Sequence, residues 1–208
     1  MTKDSTSQSV GGKPPTKHQA TSPPVHVVRA EVLTAQAFEP FGSVIAIENG
    51  ERLNIDLYGD QMIVFRCGTV DSDVPVDLLI SRSSIREFVV RFLERHHKLA
   101  QTFIPLDGAP FITVVARPNA EETNGLPALD EIHAFLVPGK TAVTLRRGTW
   151  HEPPYPLTNN ATRLATTHAQ LTVGLQTALD AHNEIHYDDV DKRNVLERSG
   201  HLVRIGLP

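Results

Sequence analysis

Two short segments of the chain carry the side chains that could do chemistry. The first contains Glu94, His96 and Gln101, and the second contains Gly148 and His151. Two neutral imidazoles and one carboxylate suit a divalent transition metal, so Glu94, His96 and His151 are candidate metal ligands. In a metal-free alternative, the histidines transfer protons near neutral pH and Gln101 donates a hydrogen bond to a substrate.

Each member of this set has an expected catalytic role. We expect His151 to be the acid/base group, His96 to be a metal ligand or its partner, and Glu94 to be a second candidate base. Gly148 permits a tight turn that would aim His151 back along the following strand. In a small barrel, inward-pointing residues at strand ends line the mouth of the cavity.

Short apolar segments separated by turn residues must position these side chains. They predict strands near residues 27–30, 43–47, 62–67, 77–81, 100–104, 111–116, 132–137, 142–145 and 163–167. Turn residues such as Asn49-Gly50 and Pro138-Gly139 stand between them. Many short strands at this spacing indicate an all-β sandwich or barrel.

Helical spacing occurs in three places. The main one is an apolar face with a capping box at its start, formed by Ile85, Phe88, Val89, Phe92 and Leu93 after Ser84 and Glu87. On that helix Glu94 would alternatively lie on the solvent side, paired with an arginine. A shorter helix is expected at 34–38, and 175–181 is either a short helix or the end of a strand.

Composition disfavours two classes of partner. The 208-residue chain has a formal net charge of −4 and only 6% aromatic residues. An acidic chain with few stacking rings is not expected to bind nucleic acid. No apolar run approaches the roughly 18–20 residues of a membrane helix, so no membrane partner is expected. Cys67 is the single cysteine, which fits a reducing compartment, and we expect a cytoplasmic location.

The chain divides into three expected regions. Residues 1–25 are rich in Pro, Gly, Ser and Thr and predict a disordered tail. Residues 26–182 form the expected β domain. Residues 183–208 form a C-terminal extension that we expect to pack on the barrel or on a partner subunit.

The spacing of the two chemical segments is similar to that of cupin barrels. Their first motif is His-x-His, then Glu, then Gly, and their second motif is Gly-x-x-His. The matching positions here are Glu94-x-His96, Gln101 after four residues, Gly108 after six more, and Gly148 with His151. This spacing also selects His96 over His97, since only one of two adjacent residues in an extended segment can face a cavity.

At these residues the chain resembles the ureidoglycolate lyases, a cupin-like family. The strongest marks are Glu94-Arg95-His96 followed by Gln101-x-Phe103-Ile104-Pro105, and Gly148-x-Trp150-His151-x-Pro153. Supporting marks are Phe38-x-x-Phe41-Gly42-x-Val44-Ile45 and Ile80-x-Arg82.

The resemblance implies a mainly β fold, a cupin-like (RmlC-type) antiparallel β-barrel with one or two short helices, usually as a homodimer. It implies cleavage of ureidoglycolate to glyoxylate and urea in allantoin and purine breakdown, with nickel or another divalent ion. Arg82 and Arg147 match family positions and would hold the substrate carboxylate, because a guanidinium grips a carboxylate with two hydrogen bonds. Gln101 would orient the substrate, and Trp150 would form either the cavity wall or the core.

The chain departs from the family pattern at four positions. Leu145 and Arg146 replace a Tyr-His pair, His97 replaces a proline, and Glu152 replaces a histidine. Two other functions stay open: a cupin-type metal-dependent dioxygenase or isomerase, and a non-catalytic binder of a small 2-hydroxy or 2-amido acid. The altered ligand set argues against an oxygenase, which needs a full facial triad.

Overall fold

The structure is a computed structural model that describes residues 22–118, 120–177 and 181–208. Most of the predicted tail therefore lies outside the described residues. The strands are β1 (Val25–Val32), β2 (Gly42–Ile45), β3 (Glu51–Leu53), β4 (Val64–Arg66), β5 (Asp77–Ser83), β6 (Val89–Val90), β7 (Phe92–His96), β8 (Thr102–Pro105), β9 (Phe111–Ala116), β10 (Glu122–Thr123), β11 (Leu126–Pro127), β12 (His133–Val137), β13 (Ala142–Leu145), β14 (Trp150–Pro156), β15 (Ala161–Thr167), β16 (Ile185–His186), β17 (Val190–Asn194) and β18 (Leu202–Gly206). The α-helices are α1 (Ala35–Phe38), α2 (Ala169–Thr177) and α3 (Val195–Ser199).

Two large sheets build the domain, and two small two-stranded sheets, β3-β4 and β10-β11, accompany them. The larger has the order β16-β17-β7-β14-β9-β12-β1-β18-β6, and the smaller has the order β2-β13-β8-β15-β5. Pairing is antiparallel except for β1, which runs parallel to β12 and β18. Phe103 of the smaller sheet contacts the His151 ring of the larger sheet, with 5.9 Å between ring centres. The mainly β fold with short helices expected from the sequence is confirmed.

The larger sheet has an apolar core on each face. Alternate residues of a strand point to opposite faces. On β9, Phe111 and Val115 join the core between the two sheets. Ile112 and Val114 join a second core on the other face, beneath β1, β18 and α3. The same alternation on β14 sends His151 inward and Trp150 outward, and this decides which residues can meet in the cavity.

The prediction of a helix around residues 85–93 is wrong. The segment instead forms β6 and the start of β7. Strand β7 lies between β17 and β14, and its residues Phe92 to His96 pair with Asn194 to Val190. Sheet hydrogen bonds and burial of Leu93 override the local helical spacing, which is a weak preference. Because Glu94 lies on β7 and is buried, it does not occupy the solvent side of a helix.

The other local predictions have mixed outcomes. Helix α1 forms at the expected place, and the Ala37 amide donates to the Thr34 hydroxyl at 3.1 Å. Residues 175–177 end α2, whereas 178–180 lie outside the described residues.

Strand β14 was not predicted because Pro153 and Pro154 interrupt it. A register shift against β9 between Glu152 and Tyr155 accommodates them.

The C-terminal residues are strands of the larger sheet. Strand β17 pairs with β7, which carries Glu94 and His96. Strand β18 pairs with β1 over five residues. The segment after residue 182 therefore lies directly beside the strand that supplies two of the candidate ligands. Among the described residues, no helix is long and apolar enough to cross a membrane.

Candidate active site

Three of the residues singled out by the sequence converge on one point. Glu94 and His96 stand two residues apart on β7, so they share a face, and His151 pairs with Glu94 across from β14. Each offers one ligand atom, and the three atoms lie within 4.8 Å of one another. All three side chains are buried between the sheets. The two segments that were expected to meet do meet.

A glycine turn fixes the start of the strand that carries His151. Gly148 has φ +78°, and a Cβ there would stand 3.2 Å from the Pro118 Cβ. Its amide donates to the His96 carbonyl oxygen at 2.6 Å. The turn therefore binds the end of β7 to the start of β14. The glycine is required here for its left-handed backbone.

The backbone sets the tautomer of His151. Its Nδ1 lies 2.9 Å from the Thr149 carbonyl oxygen. A carbonyl can only accept, so Nδ1 carries the proton and Nε2 of the neutral ring presents a lone pair. That Nε2 faces the Glu94 Oε1 at 3.5 Å. It has no hydrogen-bond partner among the described residues.

Burial and neighbouring charges set the protonation of the cluster. Burial alone would raise the pKa of Glu94, but the neighbouring imidazoles of His151 and His96 outweigh burial and lower that pKa from its ordinary value. Burial lowers the pKa of His96 from 6.5 to about 4 against the opposing charge of Glu94. At neutral pH the cluster therefore holds a carboxylate and a neutral His96.

This is the protonation state that metal ligands need. Both ring nitrogens of His96 lack a partner within the described ranges, as does Nε2 of His151. Buried polar atoms without partners are costly, and a divalent ion would satisfy Nε2 of His151 and one ring nitrogen of His96. Glu94, His96 and His151 therefore fit a metal ion. The set is also two histidines and one carboxylate, so the substitution at Glu94 does not remove a facial triad, contrary to the argument from sequence.

Gln101 lies two residues before Phe103, whose ring contacts His151, and it faces a residue that the sequence did not single out. Gln101 is buried, and its Oε1 has no partner in the described part of the chain. Ala165 of β15 pairs with Phe103, and this register, continued by two residues, places Thr167 opposite Gln101. The Thr167 hydroxyl is also buried and unpartnered. Two polar groups are thus available to a ligand.

Two other predicted substrate-binding residues, Trp150 and Arg82, lie on faces turned away from the histidines, and a third, Arg147, lies at the turn before His151. Trp150 is fully buried on the opposite face of β14, with the Arg95 guanidinium 4.2 Å from the centre of its ring. Arg82 is exposed on β5, the edge strand of the smaller sheet, where it is the register partner of Thr162 on β15. Arg147 lies at the turn before His151, where it forms ion pairs with Asp71 and Asp73.

A buried arginine that the sequence did not indicate lies between the sheets. Arg163 donates to the Ser83 hydroxyl at 2.9 Å, and its guanidinium stands 5.2 Å from the centre of the Phe111 ring. It is four residues from Thr167 on the same face of β15, so it lies toward the other end of that strand. We therefore do not count Arg163 among the clustered residues.

The departures from the family pattern fall in different places. Leu145 is buried in the core between the sheets. Arg146 is exposed and pairs with Glu39. His97 points away from the cluster and contacts Asp191 at 3.2 Å. Glu152 lies on the outer face of β14, where Tyr155 donates to it.

Fold and site together define a mainly β protein with a buried centre of two histidines and one carboxylate. The family profile described as ureidoglycolate lyase matches residues 25–182. The chain belongs to the ureidoglycolate lyase family, a family of lyases.

Curated relatives agree with this assignment. A ureidoglycolate lyase of Pseudomonas entomophila is 38% identical over 128 residues, which are 59% of this chain and 73% of the relative. Those of Pseudomonas fluorescens and Azotobacter vinelandii are 36% and 31% identical, over 59% and 62% of this chain and 73% and 77% of theirs. Among solved structures, RmlC from Streptococcus suis in complex with dTDP-D-xylose aligns with a TM-score of 0.29 at 10% identity, over 64% of this chain and 60% of that chain. That likeness is too weak to carry an argument.

Proposed function

We propose that this protein cleaves ureidoglycolate to glyoxylate and urea, as a step of allantoin breakdown. One observation carries the proposal. In a chain of the ureidoglycolate lyase family, Glu94, His96 and His151 converge with their ligand atoms within 4.8 Å of one another. Among the described residues, both ring nitrogens of His96 and Nε2 of His151 have no hydrogen-bond partner.

The reaction needs one proton to move and no other reactant. Ureidoglycolate carries a hydroxyl and a urea nitrogen on the same carbon. The hydroxyl proton passes to a base, the C=O bond of glyoxylate forms, the C–N bond breaks with its electron pair going to nitrogen, and that nitrogen takes up a proton. Glu94 is the base of this scheme because it is ionised at neutral pH. In the metal-free alternative, Nε2 of His151, 3.5 Å from Glu94, can take this proton and pass it to the urea nitrogen. In a metal-bound site that nitrogen would be a ligand, and the free oxygen of Glu94 would both take and return the proton.

We propose nickel or another divalent ion as the cofactor, held by Glu94, His96 and His151. When bound, such an ion supplies a Lewis acid that stabilises negative charge developing on oxygen. Gln101 orients the substrate through its buried amide, and the Thr167 hydroxyl lies opposite it. For the substrate carboxylate we propose Arg147, whose Nε is buried and has no partner among the described residues. To bind the substrate, the Arg147 guanidinium must then break its ion pairs with Asp71 and Asp73 or share its N–H groups between these carboxylates and the substrate.

A product assay tests this proposal. Purified protein, treated with a chelator and then supplied or not supplied with nickel, is mixed with racemic ureidoglycolate. Glyoxylate, urea and ammonia are each quantified. Equal amounts of glyoxylate and urea, lost in His151→Ala, support the lyase. Ammonia in place of urea would mean hydrolysis of the ureido group, and turnover at the spontaneous rate would overturn the proposal.

A second candidate is a metal-dependent dioxygenase acting on a small hydroxy or amido acid. The observation that favours it is the same ligand set, because two histidines and one carboxylate also hold iron in oxygenases. Metal content and oxygen uptake separate the two candidates. Iron in the protein as isolated, with substrate-dependent oxygen consumption, would favour the oxygenase.

We also propose that two copies associate through the outer face of the smaller sheet. Ile80 of β5 is 68% exposed, and Ile104 of β8 is 37% exposed. Both pair with Leu164 of β15, so the three residues form one apolar row across the sheet. An exposed apolar row on an edge strand suits a subunit contact. Light scattering should give the mass of a dimer for the wild type and of a monomer for Ile80→Asp, whereas a monomeric wild type would overturn this proposal.

We propose a cytoplasmic location for the enzyme. The supporting observation is the one thiol, Cys67, which is partly buried and donates to the Ala46 carbonyl oxygen at 3.4 Å. A free thiol persists in a reducing compartment.

A further inference from the structure

Asp189, in the C-terminal segment after the family match, is a fully buried carboxylate beside the candidate site. Its Oδ1 accepts a hydrogen bond from the Lys98 amide at 2.7 Å. Its backbone carbonyl accepts from the His97 amide at 2.8 Å. These two bonds fix the carboxylate next to the end of β7, since Val190 is the register partner of His96.

The other carboxylate oxygen of Asp189 faces two histidines. Oδ2 lies 3.9 Å from Nδ1 of His96 and 3.7 Å from Nδ1 of His168. None of these three atoms has a hydrogen-bond partner among the described residues. A small rotation of either ring would bring its Nδ1 within hydrogen-bond distance of Oδ2. Because an unpartnered buried carboxylate oxygen is costly, closing this gap is favourable.

We propose that Asp189 is a positioning residue for His96. Its Oδ2 accepts the Nδ1 proton of His96, which leaves the Nε2 lone pair directed toward Glu94 and His151. A histidine that ligates a metal usually donates its other ring N–H to a carboxylate or a carbonyl, and this fixes the tautomer and the ring orientation. His151 has such a partner in the Thr149 carbonyl, and Asp189 is the corresponding partner of His96.

This assignment makes the C-terminal segment part of the active-site machinery. The family match ends at residue 182, so it supplies Glu94, His96 and His151 but not Asp189. The chain returns through β17 and delivers the carboxylate by pairing with β7. The inference rests on the proposed role of His96 as a ligand and does not depend on the identity of the substrate.

The competing role for Asp189 is structural, as the acceptor for the Lys98 amide. Asp189→Asn separates the two roles. The Lys98 N–H keeps the amide oxygen of the asparagine in place, so the structural bond survives. The amide nitrogen then faces His96 and donates to Nδ1, which favours the tautomer with the proton on Nε2. That proton occupies the atom that should face the metal.

Asp188→Asn is a matched control. Asp188 precedes Asp189, and its side chain is 77% exposed and pairs with Lys98. The same chemical change at this position leaves the carboxylate beside His96 intact. Any effect of general charge or of a weakened Lys98 contact appears in both variants.

Two measurements on the full chain decide the inference. Titration calorimetry with nickel alone should show roughly 10- to 100-fold weaker binding for Asp189→Asn and no change for Asp188→Asn. Long-range proton–nitrogen spectra of the metal-free protein should show the Nδ1–H tautomer of His96 in the wild type and the Nε2–H tautomer in Asp189→Asn. Nickel affinity within twofold of wild type and an unchanged tautomer would overturn it.

These readouts also stand apart from the lyase proposal. If Asp189→Asn fails to fold, an Nε2–H tautomer of His96 in the wild type overturns the inference, and an Nδ1–H tautomer supports it. If the wild type forms no glyoxylate but its His96 tautomer depends on Asp189, the lyase proposal fails and the positioning role stands. If the wild type forms glyoxylate and urea but its His96 tautomer does not depend on Asp189, the lyase proposal stands and the positioning role fails.

Discussion

The two faces of β14 bury two polar clusters that differ in how their atoms are satisfied. On the inner face, beside Glu94, Nε2 of His151 has no hydrogen-bond partner among the described residues. The same is true of both ring nitrogens of His96. On the outer face, the Glu152 carboxyl accepts from the Arg91 amide at 3.2 Å and from the Tyr155 hydroxyl. The two clusters begin at adjacent residues and are equally buried.

Burial alone therefore does not distinguish a functional cluster from a structural one. Native proteins leave few buried polar atoms unpartnered, and each exception calls for a reason. The Glu152 carboxyl and the Tyr155 hydroxyl are satisfied within the chain and hold β14 against β6, although Nε1 of Trp150 on the same face has no partner among the described residues. The inner cluster is incomplete within the described residues, and a ligand would complete it. This difference supports placing the chemistry on the inner face.

The two clusters also respond to pH with opposite signs. Burial raises the pKa of Glu152 from 4.5 to about 7. The folded protein then holds this proton more tightly than the unfolded chain, so stability falls as the pH rises from 4.5 to 7. Burial lowers the pKa of His96 to about 4, so its contribution to stability rises as the pH increases from 4 to 6.5.

The same substitution on the two faces gives the largest expected contrast. Glu94→Gln removes the carboxylate of the inner cluster, and we expect kcat/KM for ureidoglycolate to fall by ~10³-fold, the middle of the range for a lost acid/base group. Glu152→Gln should change kcat/KM by less than threefold, because Glu152 points away from the cavity. Steady-state kinetics on both variants checks this. Equal losses would show that the two faces are not functionally distinct.

Glu152→Gln should also change how stability depends on pH. The Tyr155 hydroxyl has one proton and lies 2.8 Å from the Val89 carbonyl oxygen as well as beside Glu152. A protonated Glu152 lets Tyr155 donate to Val89, whereas an ionised one competes for that proton. Glutamine cannot ionise, so the variant should match the wild type at about pH 4, below the unfolded pKa, and exceed it at pH 8 by up to ~3 kcal/mol. Urea unfolding of the metal-free proteins at both pH values measures this, and a constant difference would contradict it.

Trp150 tests the same contrast through an apolar side chain. Trp150→Phe removes buried surface from the outer core and leaves the inner cluster untouched. We expect a loss of ~1–2 kcal/mol of stability, within the usual range for a core truncation, with kcat and KM unchanged. Chemical unfolding and steady-state kinetics measure both. A raised KM with unchanged stability would instead support the substrate contact expected from the sequence.

The candidate ligands could be predicted because their signals are local and share one spacing. The spacing Glu94-x-His96 predicts that these two side chains share a face of a strand. The spacing Gly148-x-x-His151 predicts the turn at which the chain reverses. The helical spacing of residues 85–93 misled because it reports a local preference that the neighbouring strands override. Asp189 had no local signal, since only the pairing of β17 with β7 brings it to His96. Arg82 and Trp150 followed from family positions, which do not state the direction of a side chain.

Arg82 carries the smallest expected effect, because its side chain lies on the outer face of the smaller sheet. It is exposed on the edge strand β5, on the side of the apolar row that contains Ile80. Within one copy of the chain we see no path from this guanidinium to the cluster, so Arg82→Ala should change kcat/KM by less than twofold. Gln101→Ala, which removes a buried amide beside the cluster, is the comparison and should raise KM more. Kinetics of the two variants at several protein concentrations decides the point. A large loss in Arg82→Ala that appears only where dimers form would mean that Arg82 serves the site of a second copy, because the proposed contact uses the same face of β5.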